Sequence, residues 1–352
     1  LADSVFRHLA SDPSPDVRRT LLDRVRLKHL HFFTSDPDES IRLALAEKLP
    51  RGYSYESNHV ARWDAVTETL SRDPDERVRA SVASSSCLTA NTHMTLASDP
   101  SSLVRKSLAE SGSGPDLPQA GWRKLISGGD VLCRLVAQNT NCPASVRLDL
   151  SSHSNSEVRT MAWGNLHFAD CQLKDKLAGK LDIVFSDSAL EPERLTIAGN
   201  QTITPAVIPR LLQCEASVTR VLAKNPNLQE EDRAALLQSD DPETAAIAVR
   251  HSFSAKLLNQ GFSHSNPKVR AALAGMTGQH ATTLRLELAV DPSAEVREAV
   301  RKYLMDKLSG YDGCNIRETL RILSHDPLAK IRAALVWDRR LPMSELTRLG
   351  DD

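Results

Sequence analysis

The sequence predicts an all-α fold, a right-handed α-solenoid of about twelve short helical repeats. Three observations predict it: a motif Asp-Pro-x-x-x-Val-Arg recurs, an apolar residue follows the Val by four positions, and Ala usually comes next. Apolar residues four apart lie on one face of a helix. Each unit is too small to bury that face alone, so stacking of successive units must bury it.

The motif is complete at both ends of the chain, with Ile for Val in two copies: 12–18, 36–42, 73–79, 99–105, 291–297 and 326–332. Weaker copies align with the same frame. Successive copies are 24 to 28 residues apart in eight steps and 35 or 37 apart in three. The position of the motif Arg, the Arg slot, numbers repeats 1 to 12: Arg18, Arg42, Arg79, Arg105, Cys133, Arg159, Arg194, Thr219, Thr244, Arg270, Arg297, Arg332.

Each position of the repeat has a predicted role. The apolar slot is apolar in all twelve repeats, and the next slot is Ala in eight, which suits a close approach of two helices. Asp-Pro predicts the helix start, because Asp accepts free N–H groups there and Pro fits the first turn. Asn139, Asn200 and Asn225 follow the Ala slot and predict a left-handed helix stop.

Composition narrows the class of protein. The formal net charge is −1, so no global basic field indicates nucleic acid or an anionic membrane. No apolar run reaches the eighteen residues of a transmembrane helix. No signal peptide opens the chain, which begins without Met and reads as a fragment. Six cysteines are scattered without a Cys-x-x-Cys, which favours a reduced, cytoplasmic protein.

The recurring "DPxxxVRxxLA…N" resembles the HEAT family and, more closely, the bacterial leucine-rich repeat variant, over almost the entire chain. Some relatives of the variant carry cysteine-ligated clusters, but no cysteine spacing here supports one, so we expect no metal and no cofactor. The resemblance implies a structural ladder of Asp and Arg between successive repeats. The residues implied are Asp12, Arg18, Asp36, Arg42, Asp73, Arg79, Asp99, Arg105, Asp291, Arg297, Asp326 and Arg332.

Repeats 5 to 10 all lack the Asp. Three of them also lack the Arg, as expected if the two residues interact, while Arg159, Arg194 and Arg270 remain without it. Either these repeats drifted and use weaker caps, or the three arginines form a binding surface. The second interpretation predicts that they lie in a line. It also predicts that Arg159→Ala and Arg270→Ala weaken partner binding more than Arg18→Ala or Arg332→Ala does.

Two nearly identical octapeptides, "SHSNSEVR" (152–159) and "SHSNPKVR" (263–270), lie in this central part. Their His153 and His264 are candidate binding residues or simple turn residues; metal ligation is disfavoured because no His/Cys/Asp cluster joins them. Trp163 occupies a slot where Ala is usual. Either the local packing opens to bury the ring, or the ring lies exposed along the groove.

The chain is predicted to form one array over residues 1–352, with a bend near 110–121. The longer steps contain stretches at 51–60, 168–179 and 306–315, which are either projecting loops or locally longer helices.

The sequence indicates the fold more firmly than the function. No phosphate-binding loop, nucleophile elbow or zinc motif is present, so the sequence favours a non-enzymatic scaffold that binds a protein or peptide along the concave face. The alternative is a nucleic-acid-binding protein or a DNA glycosylase-type repair enzyme, which requires a basic inner face with an aromatic and a carboxylate at one spot. An accessory factor for an enzyme is a third class.

Overall fold

The computed structural model describes residues 3–24, 27–50, 60–111, 117–168, 173–276, 281–307 and 314–351. Regular structure in these ranges consists of helices, and none of their residues lies in a strand. Neighbouring helices pack as in a helical repeat solenoid, so the predicted all-α solenoid class is confirmed. The chain divides into two compact units, Leu1–Asp187 and Ser188–Asp352.

The N-terminal unit contains a 3-10 helix at Leu27–Phe33 and the first twelve α-helices of the described chain. These are α1 (Asp3–Ala10), α2 (Pro15–Asp23), α3 (Glu39–Glu47), α4 (Val60–Leu70), α5 (Glu76–Ala83), α6 (Ala90–Ala97), α7 (Ser102–Glu110), α8 (Gln119–Ile126), α9 (Asp130–Gln138), α10 (Ala144–Leu150), α11 (Ser156–Gly164) and α12 (Lys174–Ser186).

The C-terminal unit contains short 3-10 helices at Ser188–Leu190 and Leu273–Gly275 and the remaining described α-helices. These are α13 (Glu191–Gly199), α14 (Ile208–Leu211), α15 (Ala216–Ala223), α16 (Glu230–Leu237), α17 (Pro242–Arg250), α18 (Ala255–Phe262), α19 (Pro267–Ala272), α20 (Ala281–Leu288), α21 (Ala294–Lys307), α22 (Cys314–Leu323), α23 (Ala329–Ala333) and α24 (Met343–Asp351).

Each repeat supplies a second helix that carries the Arg slot, and the second helices of successive repeats pack side by side. They follow the order α2, α3, α5, α7, α9, α11 in the N-terminal unit and α13, α15, α17, α19, α21 in the C-terminal unit. Their Ala slots are buried as predicted, with at most 2% of each residue exposed: Ala46, Ala83, Ala109, Ala137, Ala198, Ala223, Ala248, Ala274. The absence of a larger side chain lets adjacent backbones approach closely.

The predicted helix start is two residues too early in the Asp-Pro repeats. In repeat 2 the N-cap is Asp38, which accepts a hydrogen bond from the Ser40 N–H, whereas Asp36 lies two residues earlier. Asp36 accepts the N–H of Asp38 at 2.9 Å. The motif Asp therefore organises the turn before the helix, and a different residue caps the helix.

The predicted left-handed stop at Asn139, Asn200 and Asn225 is also wrong. Asn139 and Asn200 have φ of −69° and −70°, and among the described residues only a glycine has positive φ. The side chains of Asn139 and Asn225 form hydrogen bonds to the preceding repeat: Asn225 Nδ2, for example, donates to the carbonyls of Ala198 and Asn200 at 2.9 Å each. Such an Asn caps the helix of the preceding repeat instead of ending its own.

Several predictions fall on stretches outside the described residues. Residues 51–59, 112–116, 169–172 and 308–313 lie outside those ranges, and they include most of two predicted insertions and the middle of the predicted bend.

Candidate functional site

An arginine ladder joins successive repeats. Arg79 donates from Nε and Nη2 to the two carboxylate oxygens of Asp99, at 2.7 and 3.1 Å. Its Nη1 donates to the carbonyls of Asp73 and Pro74, at 2.7 and 3.1 Å. Each nitrogen of the guanidinium fork thus meets an oxygen. The same carboxylate pairing occurs for Arg18–Asp36, Arg42–Asp73, Arg270–Asp291 and Arg297–Asp326.

The ladder pairs an arginine with the Asp of the next repeat. Whether a repeat contains its own Asp therefore does not decide whether its arginine has a carboxylate partner. Arg270 belongs to a repeat without Asp, yet it binds Asp291 of repeat 11 at 2.7 Å. Conversely, Arg105 belongs to a complete motif, but repeat 5 offers Ser127 in the Asp slot. Arg105 Nη1 donates instead to the carbonyls of Asp99 and Pro100.

The ladder holds its paired arginines in the charged state. The hydrogen bond from Arg79 to Asp99 raises the pKa of Arg79 above its ordinary value, and this effect outweighs the burial that would lower it. Arg18, Arg42, Arg270 and Arg297 have raised pKa values for the same reason, each from its own Asp partner. Such arginines are structural groups and do not exchange protons near neutral pH.

The two octapeptides repeat because they form the same turn. His153 Nδ1 accepts the Asn155 N–H at 3.1 Å, and His264 Nδ1 accepts the Asn266 N–H at 3.1 Å. This is the position where Asp36 accepts the N–H of Asp38. A ring nitrogen thus replaces the carboxylate oxygen in repeats whose preceding Arg slot, Cys133 or Thr244, has no guanidinium.

The remaining residues of the octapeptides also match. Asn155 and Asn266 cap their helices by accepting the N–H of Glu157 and of Lys268 at 2.9 Å. Each octapeptide arginine then donates to two carbonyls of its own turn. His153 and His264 therefore serve as turn residues in the structure.

The three candidate arginines are divided between the two units. Arg159 lies in the N-terminal unit and donates to the carbonyls of His153 and Ser154. Arg194 and Arg270 lie in the C-terminal unit, where Arg194 binds Glu215 at 3.0 Å. A binding role for the three stays a prediction, but Arg194 and Arg270 would have to give up a carboxylate to serve it. The hypothesis that they lack one is wrong.

Trp163 is a core residue. None of its surface is exposed, and its ring stacks on Phe168 with a centroid distance of 6.2 Å and an interplanar angle of 16°. Of the two alternatives for this position, local opening of the packing is the one observed. The ring is not available to a partner in this conformation.

Three buried arginines that the sequence analysis missed cap the ends of second helices. Arg147 donates to the carbonyls of Asn139 and Thr140, at 2.5 and 3.1 Å, from the first helix of the next repeat. Arg233 and Arg285 do the same at the ends of α15 and of the 3-10 helix after α19. Burial lowers the pKa of all three. Arg147 and Arg233 each follow the Asn slot by eight residues, a spacing that would have revealed them.

Two open clefts of the C-terminal unit occupy equivalent places in the repeat. One, of about 540 Å³, lies between the turns of repeats 11 and 12, and the ladder residues Arg297 and Asp326 line it. The other, of about 640 Å³, lies between the turns of repeats 8 and 9, and Thr219 holds the place of the arginine there. We call it the Thr219 cleft; its polar lining is Cys214, Thr219, Gln238, Ser239, Asp240 and Asp241.

Charges on the second helices are paired with opposite charges on the next repeat. An acidic and a basic residue meet in this way at five steps between neighbouring repeats, so charges of both signs lie side by side on these helices. The pairs are Arg77–Glu39, Arg134–Glu157, Arg220–Asp241, Lys268–Glu243 and Lys330–Glu298, at 2.6, 2.8, 2.7, 2.7 and 3.9 Å.

Three features of the described ranges bear on metal-ion, membrane and thiol chemistry. These ranges contain no group of three or more His, Cys, Asp or Glu side chains placed to hold a metal ion. None of their helices is both long enough and apolar enough to span a bilayer. Cys87, Cys133, Cys142 and Cys214 are free thiols, and burial raises the pKa of each.

Comparisons with known proteins do not identify a family for this chain. No protein-family model matches the chain, and no curated protein matches it. Among solved structures, an engineered protein from a structural genomics consortium is similar over 99% of this chain and 98% of its own, with 13% identity and a TM-score of 0.31.

Proposed function

We propose that the chain is a non-enzymatic interaction scaffold, a solenoid of the leucine-rich repeat variant or HEAT-like kind that binds a protein or peptide along its second helices. The observation that supports this is the pairing of charges across those helices. A surface that alternates acidic and basic groups matches the mixed charge of a protein partner.

The same observation disfavours nucleic acid. A duplex presents a continuous line of phosphates, and binding proteins neutralise it with unpaired Lys and Arg. Here Arg220 and Lys268 already lie against Asp241 and Glu243, so a phosphate would have to compete with a carboxylate.

A selection experiment tests the proposal. A random linear peptide library would be selected against the protein, and the binders retested on Lys268→Glu, which reverses an exposed charge on a second helix. The matched control is Lys256→Glu, an exposed charge on first helix α18. We expect micromolar binders that Lys268→Glu weakens by about fivefold or more, while the control stays within about twofold. Binders that respond equally to both variants, or no binders, would contradict the proposal.

A salt titration tests the alternative. Fluorescence anisotropy of a labelled DNA duplex would be followed from about 50 to about 200 mM salt. We expect only weak binding throughout. Tight binding that falls steeply over this range would favour the nucleic-acid function instead.

A further inference from the structure

We propose that the Thr219 cleft binds the guanidinium group of an arginine side chain from a partner. The identity of the ligand as a protein segment rests on the proposed scaffold function. The choice of a guanidinium as the ligand does not depend on that function. It follows from other repeats of the same chain, in which an arginine side chain occupies the equivalent place.

The ladder is the template for this site. In repeat 3 the Arg79 guanidinium lies between the turn before its own helix and the turn of the next repeat, bound to two carbonyls and a carboxylate. Repeat 8 keeps the register of this turn: Glu215 is the N-cap in the place of Asp75, and helix α15 begins one residue later, as α5 does. The backbone of the N-cap differs, with φ and ψ of −56° and 157° at Glu215 against −82° and 122° at Asp75. The side chain that crosses the cleft also differs, and Gln238 stands in the next Asp slot where repeat 4 has Asp99.

Thr219 is too short to cross the cleft. Its hydroxyl stays against its own helix and the neighbouring one, 3.2 Å from the Ala216 carbonyl and 3.2 Å from the Thr244 hydroxyl. By the alignment of repeats, the carbonyls of Gln213 and Cys214 take the places of those that Arg79 binds. Within the described ranges no side chain donates to them. The two carbonyl acceptors of the template remain, while the donor is absent.

The far side of the cleft is acidic, as a guanidinium site requires. Asp241 is bound by Arg220 at 2.7 Å, and this hydrogen bond lowers its pKa despite partial burial. The exposed Asp240 has no cation within ion-pairing distance in the described part of the chain. Gln238, in the Asp slot, offers a carboxamide oxygen. A bound cation would therefore meet one unneutralised carboxylate and several neutral acceptors.

Arginine fits these acceptors better than lysine. The acceptors lie on both sides of the cleft, and a planar guanidinium can donate to both sides at once in the fork geometry that Arg79 uses. An ammonium is a compact point charge that loses more hydration on entry.

Protection of a cleft thiol gives a local readout. Cys214 lines the cleft and is half-buried, so its alkylation by a maleimide, followed by mass spectrometry, reports occupancy. The probes are N-acetyl-arginine amide, the lysine analogue and the uncharged citrulline analogue. We expect saturable slowing of Cys214 alkylation by the arginine probe, about threefold or more at millimolar concentration, with weaker effects from the other two. Half-buried Cys87, which lies in the other unit, is the internal control.

Variants test whether the protection of Cys214 arises from binding in the cleft. Thr219→Arg places a built-in guanidinium in the cleft and should abolish the protection, while Ser263→Arg adds the same charge at an exposed position and should not. Asp240→Asn, an exposed substitution that should leave folding intact, should weaken the arginine probe about threefold or more. Equal protection by citrulline, or protection that survives both Thr219→Arg and Asp240→Asn, would overturn the inference.

The two proposals can fail separately. Selected peptides that lack arginine and bind Thr219→Arg as tightly as the natural chain would overturn the cleft inference and leave the scaffold standing. Arginine-specific protection of Cys214 in a chain that selects no peptide would contradict the scaffold and support the cleft.

Discussion

Asp99 shows what one ladder residue does. It is 5% exposed, and its two oxygens accept hydrogen bonds from the Arg79 guanidinium and from the Ser101 N–H. The carboxylate thus fixes the turn before α7 and neutralises a charge from the preceding repeat at the same time. Removing it leaves a largely buried guanidinium without its counter-ion.

Replacing Asp99 by Ala should therefore lower the free energy of unfolding by about 3 kcal/mol, the cost of breaking a buried pair. The measurement is urea denaturation at neutral pH. Asp23→Ala is the control, because Asp23 is half-exposed and its ion pairs with Arg19 and Lys48 are long, 3.9 and 3.5 Å. It should cost less than about 1 kcal/mol. Similar losses in the two variants would contradict a structural role for Asp99.

Lowering the pH should destabilise the protein through the Arg–Asp pairs of the ladder. Burial tends to raise the pKa of Asp291, but hydrogen bonds from Arg270 and the Ser293 N–H, with nearby positive charge, bring it below its ordinary value. A lowered folded pKa stabilises the protein above the unfolded value, about 3.9 for Asp. That stability is lost as the pH falls through the folded pKa.

We therefore expect the free energy of unfolding to fall as the pH drops from about 5 towards 3, and Asp291→Asn to show a smaller fall because it has no proton to bind there. Urea denaturation at several pH values measures both. An unchanged fall in the variant would show that Asp291 does not contribute to acid sensitivity.

At the scale of the helix, several second helices end against side chains of a neighbouring repeat. The end of α15 receives Arg233 from α16, whose guanidinium is buried and donates to the Ala223 and Asn225 carbonyls. These carbonyls have no partner within the helix, so an outside donor satisfies them.

Arg233→Met keeps the length of the side chain but removes the donors. It should cost about 1–3 kcal/mol, the penalty for leaving buried polar groups unpaired. Arg250→Met, at an exposed site on α17, is the matched control and should cost under about 0.5 kcal/mol. Thermal and urea unfolding of both variants test this. A loss confined to the control, or absent from Arg233→Met, would contradict the capping role.

The helices themselves were predictable because their apolar and Ala slots recur with helical spacing; Ala109 and Val136, for example, are fully buried. Contacts that join two repeats were not predictable from one copy of the motif. Asn225 acts on the preceding helix, and Arg270 finds its carboxylate in the following repeat. The empty place beside Thr219 could be recognised only once Arg297 was seen to fill the equivalent one.

At the scale of the whole chain, stability in a repeat protein is a sum of repeats and of interfaces between neighbours. The ladder is a polar part of those interfaces in both units. It is interrupted at repeats 4 and 5, where the next Asp slot is Ser127 and the next Arg slot is Cys133, and at repeats 8 and 9, where Thr219 and Thr244 bond to each other. The ladder has a direction, because each Asp serves the arginine of the preceding repeat.

A pair of double-mutant cycles tests this direction most directly. The first combines Arg79→Ala with Asp99→Ala, and the second combines Arg79→Ala with Asp73→Ala, the Asp of the same repeat; urea denaturation gives the unfolding free energies. We predict a coupling of about 2 kcal/mol or more for Arg79 with Asp99 and within about 0.5 kcal/mol of zero for Arg79 with Asp73. A stronger coupling to Asp73 than to Asp99 would contradict a ladder that runs from each arginine to the next repeat.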